Sequence, residues 1–314
     1  MGGEVWHKMS AKILLADPID KKAFDAIKEL AQVKDASKLS RAALLKNISS
    51  YEILIVRSRT KVDEQLLKKA KKLKAVVRAG VGLDNIDVEY CNEHNLKVVN
   101  TPEAPTISVA ELTIGLMLSL LRKIPYADAT TKNKKWLKSE LTGKELFGKT
   151  LGIIGFGRIG PQVAQRAKVF RMEILIFDKR ANTEQVRDFG QLVPLQELLR
   201  RSDIITLHIP LTDETENMIS DAQFKLMKNG AYLINTARGP IVNEQALIKA
   251  LKSGKLAGAA LDVYWGETPF GSKIMQFKDK LILMPHIGSQ TYEAQARVGD
   301  LLIEKVRQLI AELK

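Results

Sequence analysis

The sequence predicts an α/β protein of two doubly wound parallel-sheet domains, one interrupting the other. Three observations predict it. Short apolar runs alternate with amphipathic stretches from Lys12 onward, the pattern of parallel strands joined by helices. The alternation runs once up to Asn100 and again from Leu151. The length, 314 residues, exceeds one ordinary core and suits two domains of about 100–200 residues each.

Taken in order, candidate strands at Ile13–Ala16, Ile53–Val56, Ala75–Arg78 and Val98–Asn100 are separated by helix faces. Ile19, Ala23, Ile27 and Leu30 mark one face, and Leu66, Ala70 and Leu73 mark another. Thr106–Leu121 then reads as a helix, with Ser108 and Glu111 at capping-box spacing. It is apolar almost all round and must be covered on every side, which points to a place between domains or subunits. A second series starts with the strand Leu151–Ile154. It continues through Ile174–Phe177, Ile204–Leu207, Tyr232–Asn235, Ala259–Leu261 and Leu281–Met284. After Pro285 one helical pattern remains (Val298, Leu301, Leu302, Val306, Leu309, Ile310), too short to bury a core by itself. It is expected to return and pack on the first domain.

Hydrophobic residues make up 45% and charged residues 27%, a globular composition. The single cysteine, Cys91, excludes an internal disulfide framework and a multi-cysteine metal site, and points to a cytoplasmic protein with no structural metal. The most apolar stretch, Leu112–Leu121, is about half the ~20 residues a membrane span needs. Residues 1–8 carry no apolar signal core and read as a short frayed extension, with His7 inside it. Lys plus Arg at 49 against Asp plus Glu at 36 gives +13, a field that attracts anions. The densest basic run, Lys68–Lys74, has no interleaved aromatic residue, and Leu66, Leu67, Ala70 and Leu73 fall at helical spacing around it. It reads as a solvated face, and neither a nucleic acid nor a membrane is expected as partner.

The strand Leu151–Ile154 runs directly into Gly155-Phe156-Gly157-Arg158-Ile159-Gly160. In such a loop the first glycine allows the tight turn, the second lets backbone approach a diphosphate, and the third lets the helix pack on the strand. The diphosphate then sits on N–H groups at the helix N-terminus. Six strands around this loop make a complete dinucleotide-binding sheet of the Rossmann type. Asp178, at the end of the next strand, can accept hydrogen bonds from an adenosine ribose and would repel a 2′-phosphate, which favours NAD; Lys179 and Arg180 beside it soften that repulsion. Pro161 falls in the first helical turn, where its missing N–H does little harm.

Three polar residues complete a site. Arg238 follows Asn235-Thr236-Ala237, Glu267 lies in Asp262-Val263-Tyr264-Trp265-Gly266-Glu267-Thr268-Pro269, and His286 lies in Pro285-His286-Ile287-Gly288-Ser289. Each stands just past the end of a buried strand. In an open parallel sheet the carboxyl ends of the strands face the ligand crevice, so all three should gather where the cofactor binds.

Together with Val56-Arg57-Ser58-Arg59-Thr60, the run Arg78-Ala79-Gly80-Val81-Gly82-Leu83-Asp84-Asn85-Ile86-Asp87 and Asn100-Thr101-Pro102, these motifs resemble the D-isomer-specific 2-hydroxyacid dehydrogenases along nearly the whole chain. Within that family the phosphoglycerate dehydrogenases are the most similar branch. The resemblance implies a flavodoxin-like substrate-binding domain, 1–100 with 288–314, interrupted by a Rossmann NAD-binding domain, 101–287. It implies hydride exchange between C2 of a small anionic D-2-hydroxy acid and NAD, with D-3-phosphoglycerate and 3-phosphohydroxypyruvate, a step of serine biosynthesis, as the expected pair. Arg238 would hold the substrate carboxylate and 2-oxygen, His286 would act as acid and base, and Glu267 would be its partner. The chemistry suits these types: a guanidinium fork matches a carboxylate, and imidazole exchanges a proton near neutrality.

By the same resemblance the backbone of Ala79, Gly80 and Val81 helps bind the substrate carboxylate. Arg57, Ser58 and Lys138 meet its far end, with Lys138 standing where arginine is frequent. Asp262 lies near the nicotinamide carboxamide, and Gly155, Gly157, Arg158, Ile159, Gly160, Asp178, Ile209, Thr236, Ala237 and Gly288 contact NAD. Two alternatives stay open: a glyoxylate or hydroxypyruvate reductase, which shares every catalytic residue, and an NAD-sensing scaffold without turnover. Many phosphoglycerate dehydrogenases continue into a serine-sensing domain, so a chain ending at Lys314 is expected to lack serine feedback. The apolar helix Thr106–Leu121 and the arm to Phe147 suggest a homodimer. His94 is expected on a surface helix, His208 beside the cofactor without titrating, and Cys91 inert.

Overall fold

The computed structural model of the protein describes residues 11–266 and 268–313. The expected N-terminal extension with His7, and the predicted acidic partner Glu267, lie outside the described residues. Within them, the chain up to Pro105 together with the chain from Gln290 forms one compact unit, and Thr106–Ser289 forms the other.

The first unit alternates β1 (Lys12–Leu15), α1 (Lys21–Leu30), β2 (Gln32–Asp35), α2 (Arg41–Asn47), β3 (Ile53–Val56), α3 (Glu64–Lys69), β4 (Ala75–Arg78), α4 (Val88–Glu93) and β5 (Lys97–Asn100). All pairings are parallel and the strand order is β2-β1-β3-β4-β5, the flavodoxin-like order. Because side chains alternate across a strand, Ile13, Ile53, Ile55 and Val77 fill one face of the sheet while Leu14, Leu54, Val56 and Val76 fill the other. The edge strand β2 has no counterpart among the predicted strands. Its residues, Gln-Val-Lys-Asp, are mostly exposed and polar, so apolar patterning could not reveal it. Pairing with β1 makes it a strand.

In the second unit come α5 (Thr106–Leu121), α6 (Ile124–Lys132), β6 (Thr150–Ile154), α7 (Ile159–Val169), β7 (Glu173–Phe177), α8 (Thr183–Val186), β8 (Gln191–Leu192), α9 (Leu195–Arg201), β9 (Ile204–Leu207), α10 (Asp221–Leu226), β10 (Ala231–Asn235), α11 (Glu244–Lys252), β11 (Leu256–Leu261) and β12 (Leu281–Leu283). The parallel sheet is ordered β12-β11-β10-β9-β6-β7-β8, a Rossmann order with one added strand. The added strand is β12, at one edge; β8, at the other, holds the third Rossmann position and has no counterpart among the predicted strands because Gln191–Leu192 is too short to carry a pattern. The order reverses between β6 and β9, and the glycine loop leaves β6 at that switch point.

The predicted cap of the apolar helix is not formed. The α5 helix already runs through Ser108 and Glu111, and Glu111 pairs with Arg166 on α7 at 3.2 Å. The Val109, Ala110, Ile114, Met117 and Leu121 side chains of α5 are buried, and the helix packs on α7 and the sheet. The last helix, α12 (Tyr292–Glu312), belongs to the first unit, where Val298, Leu302, Val306 and Leu309 join the β1–β3–β4 face and Lys22 pairs with Asp300 at 2.9 Å. The basic run is part helix, part turn: α3 ends at Lys69, Lys68 pairs with Glu64 at 2.7 Å, and Lys74 pairs with Glu52 at 3.0 Å. Among the described residues no helix is long and apolar enough to cross a membrane.

Candidate active site

The glycine loop has the geometry its sequence requires. Gly155 lies at φ 98°, and a Cβ there would meet the His208 carbonyl oxygen at 2.5 Å. A Cβ on Gly160 would sit 2.4 Å from the Gly155 oxygen, so this glycine brings α7 against the strand end. A Cβ on Gly157 would meet nothing within 4 Å. That glycine fills no packing need and leaves backbone open to a ligand. No side chain caps the N-terminus of α7, next to Arg158, Ile159 and Gly160, so its N–H groups are available to a diphosphate.

Asp178 is tied into the same loop. Its Oδ2 accepts the Phe156 N–H at 2.7 Å, and its Oδ1 accepts those of Arg180 at 2.7 Å and Ala181 at 3.2 Å. Oδ2, with one bond accepted, keeps lone-pair capacity for a hydroxyl donor. Lys179 is paired with Glu214 at 2.6 Å, which offsets the positive charge beside the carboxylate. These features fit a dinucleotide whose ribose carries two hydroxyl groups.

Asn235, Leu261 and Leu283 stand in one row across β10, β11 and β12, so the segments that follow leave within about 10 Å of one another, two strand spacings. The Arg238 loop is held by buried Asn235, whose Oδ1 accepts the Ala237 N–H at 3.0 Å and whose Nδ2 donates to the Arg238 oxygen at 2.8 Å. The half-buried Arg238 side chain donates Nη1–H to the Ala237 oxygen at 2.6 Å. Thr236 meets Thr113 of α5 hydroxyl to hydroxyl at 3.3 Å.

Asp262 is 1% exposed, and its carboxylate is directed at backbone: Oδ1 accepts the Ile287 N–H at 2.8 Å and Oδ2 that of Gly288 at 2.7 Å. Burial pushes its carboxyl up from the ordinary range, while those two N–H groups and the charge of His286 pull it down. His286 itself is exposed, at φ 56°.

In the first unit, Arg57 and Ser58 follow β3 and Ala79–Val81 follow β4. Buried Asp17, absent from the predicted site, organises the first of these loops. It accepts the Arg57 N–H at 2.6 Å, the Thr60 hydroxyl at 2.7 Å and Arg59 Nε at 3.0 Å. Arg59 is thereby a structural residue, whereas the Arg57 guanidinium bonds at 2.9 Å to the neutral carboxamide of Gln295 on α12. The expectation for Ala79, Gly80 and Val81 narrows. The Ala79 N–H donates to the Val56 oxygen at 2.8 Å and that of Gly80 to the Arg78 oxygen at 2.9 Å, and of these three N–H groups the Val81 one has no backbone acceptor among the described residues. Lys138 belongs to the second unit, exposed in the segment after α6.

Of the other singled-out residues, Ile209 follows β9 against Gly155. Burial pushes the His208 imidazole down to about 3; the residue is half-buried overall, but Nδ1 is sealed and Nε2 meets the Thr206 hydroxyl at 3.0 Å. It stays neutral at physiological pH. His94 is exposed at the end of α4, stacked on Tyr90 at 3.8 Å. Cys91 is buried, which pushes its thiol up to about 11.

Fold and site define a dinucleotide-binding protein with an arginine and a histidine after strand ends two spacings apart in the binding sheet. Comparison narrows the class. The family model "D-isomer specific 2-hydroxyacid dehydrogenase, NAD binding domain" matches residues 114–288. The chain is 45% identical over 301 residues to D-3-phosphoglycerate dehydrogenase of Methanocaldococcus jannaschii, covering 95% of this chain and 57% of that protein. It is 42% identical over 300 residues to hydroxypyruvate reductase of Thermotoga maritima, covering 94% of this chain and 97% of that protein. Among solved structures, D-lactate dehydrogenase of Aquifex aeolicus complexed with NAD and lactic acid superposes with a TM-score of 0.85 at 32% identity, covering 96% of each chain. The chain therefore belongs to the D-isomer-specific 2-hydroxyacid dehydrogenase family and carries its NAD-binding domain. It spans about half the length of the phosphoglycerate dehydrogenases it matches.

Proposed function

We propose that this chain interconverts a D-2-hydroxy acid and its 2-oxo acid with NAD in the cytoplasm, and that D-3-phosphoglycerate and 3-phosphohydroxypyruvate are its pair, a step of serine biosynthesis. The observation that carries the reading is the row of strand ends, from which a guanidinium at Arg238 and an imidazole at His286 leave an NAD-binding sheet. Arg238 offers a planar fork to the substrate carboxylate and 2-oxygen. His286 takes the hydroxyl proton in oxidation and returns it in reduction, and Glu267 is assigned as its acidic partner. A bound nicotinamide would supply the hydride acceptor for C2. The N–H groups of α7 and open Gly157 would hold the diphosphate, and Asp178 would hold the ribose hydroxyls.

Arg57, Ser58, the Val81 N–H and Lys138 are assigned to the substrate. An anionic tail is favoured by Arg57, whose guanidinium has a neutral partner in Gln295 and so keeps its charge for a ligand, unlike Arg59 on Asp17. A hydroxypyruvate reductase is the second reading, favoured by the 42% identity to that relative over 300 residues.

A homodimer through the α5 side of the second unit is supported by its exposed apolar residues. Phe147 is 61% and Val169 81% exposed, and an open groove beside them is lined by Leu118, Arg122 and Phe170. Sedimentation at about twice the chain mass supports it; monomer at micromolar concentration contradicts it.

The substrate assignment is tested with purified protein, NAD(H) and a panel of 3-phosphoglycerate, glycerate, glyoxylate and hydroxypyruvate. The highest kcat/KM is expected on the phosphorylated acid. Preference for hydroxypyruvate or glyoxylate would favour the reductase, and NAD binding with no turnover would leave a scaffold.

A further inference from the structure

His286 occupies a conformation that a side chain seldom takes. Its φ of 56° is left-handed, and for a residue other than glycine such a conformation persists only where the surroundings over-determine it. The surroundings here can be named. On the N-terminal side, the Met284 N–H donates to the Leu261 oxygen at 2.9 Å, and the Met284 oxygen accepts the Tyr264 hydroxyl at 2.7 Å. Pro285 follows with its φ fixed by its ring. On the C-terminal side, Asp262 holds the Ile287 and Gly288 N–H groups. His286 is thus a single left-handed residue between two anchored points.

Tyr264 is more than one of those anchors, because its own backbone is held against the other loop of the site. A Cβ on Gly239 would lie 1.9 Å from the Tyr264 oxygen, so only glycine there lets the two backbones meet, one residue after Arg238. The neighbouring Trp265 donates its indole N–H to the Val242 oxygen at 2.5 Å and holds the same segment from the other end. A rigid aromatic side chain therefore runs from the backbone beside Arg238 to the backbone before His286, ending in a hydroxyl that has a defined acceptor.

We propose that Tyr264 is a positioning residue that fixes the imidazole of His286 relative to the guanidinium of Arg238. The proposal rests on the assignment of those two residues to proton transfer and carboxylate binding. Tyr264 touches neither reacting group; its phenol sets where the His286 backbone begins its left-handed turn. A spacing error of about 1 Å between such groups lowers turnover by up to ~100-fold without touching cofactor affinity.

Tyr264→Phe removes only the hydroxyl. It is expected to lower kcat about tenfold, with KM for the 2-hydroxy acid and Kd for NAD within twofold of wild type. A second readout needs no turnover. Glycine accepts a left-handed φ without strain, so His286→Gly should melt at a higher temperature than His286→Ala. Once Tyr264→Phe lets the segment relax, that gap should shrink. Wild-type kcat in Tyr264→Phe, or an undiminished melting gap in its presence, would overturn the proposal. If instead wild-type protein turns over no 2-hydroxy acid, the dehydrogenase assignment fails, and if His286→Ala keeps full activity, the proton-transfer role of His286 fails, while in both cases the melting comparison still decides whether Tyr264 holds the His286 backbone.

Discussion

Replacing Gly157 with alanine separates what the glycine loop does for the fold from what it does for a ligand. A Cβ there meets no atom within 4 Å, and the residue is not among those with a left-handed backbone. Its effect on the folded protein should come through the unfolded chain, a gain of about 0.4–1 kcal/mol. In a unit of this size that raises the melting temperature by about 1–3 °C. With NAD the sign reverses. A methyl group pressed against a bound diphosphate is an overpacked contact of about 1–3 kcal/mol, which weakens Kd by about 5- to 150-fold. Gly160→Ala is the contrast, since its Cβ would sit 2.4 Å from the Gly155 oxygen and should destabilise the fold by about 1–3 kcal/mol. Differential scanning fluorimetry and NAD titration calorimetry give both numbers. If Gly157→Ala binds NAD as wild type does, or melts well below it, the cradle has been misread.

Three further outcomes follow from the geometry. Burial holds His208 far below its ordinary 6.5, so the unfolded chain takes up the proton first. Stability from this group is complete above about 6.5 and falls as pH drops toward about 3. At pH ~4.5 the loss is on the order of 2–3 kcal/mol, and urea midpoints should show His208→Asn losing less stability than wild type between pH 7 and ~4.5; equal losses would deny it. Cys91, with its thiol near 11 and its side chain in the core, should not react with a thiol reagent at about pH 8 until the protein unfolds, and fast labelling of native protein would contradict that. Gln295→Glu places a carboxylate on Arg57, which should raise KM for a phosphorylated substrate at least tenfold and for glyoxylate much less; equal effects on both would remove Arg57 from tail recognition.

The buried strands are legible because central parallel strands are apolar on both faces; the apolar runs Ile53–Val56 and Ile204–Leu207 coincide with β3 and β9 residue for residue. Edge strands β2 and β8 are not, since one is polar and the other two residues long, and only pairing defines them. The glycine loop carried its own meaning, because each glycine answers a local steric demand. Asp17 left a faint signal as an acid directly after an apolar strand, but its three-way grip on the Arg57–Thr60 loop needs contacts across the sheet. Gln295 left none, because it reaches Arg57 only through the return of α12 to the first unit. Tyr264 and Asp262 stand in a motif that was read for its ligands, yet their hydrogen bonds run to backbone, a role that residue identity alone does not announce.

The most direct test of the account pairs NAD calorimetry with steady-state oxidation of D-3-phosphoglycerate for wild type, Arg238→Ala and His286→Ala. The account predicts a common NAD affinity in all three proteins, with kcat/KM falling about a thousandfold or more in each variant. Turnover that survives both substitutions would contradict it.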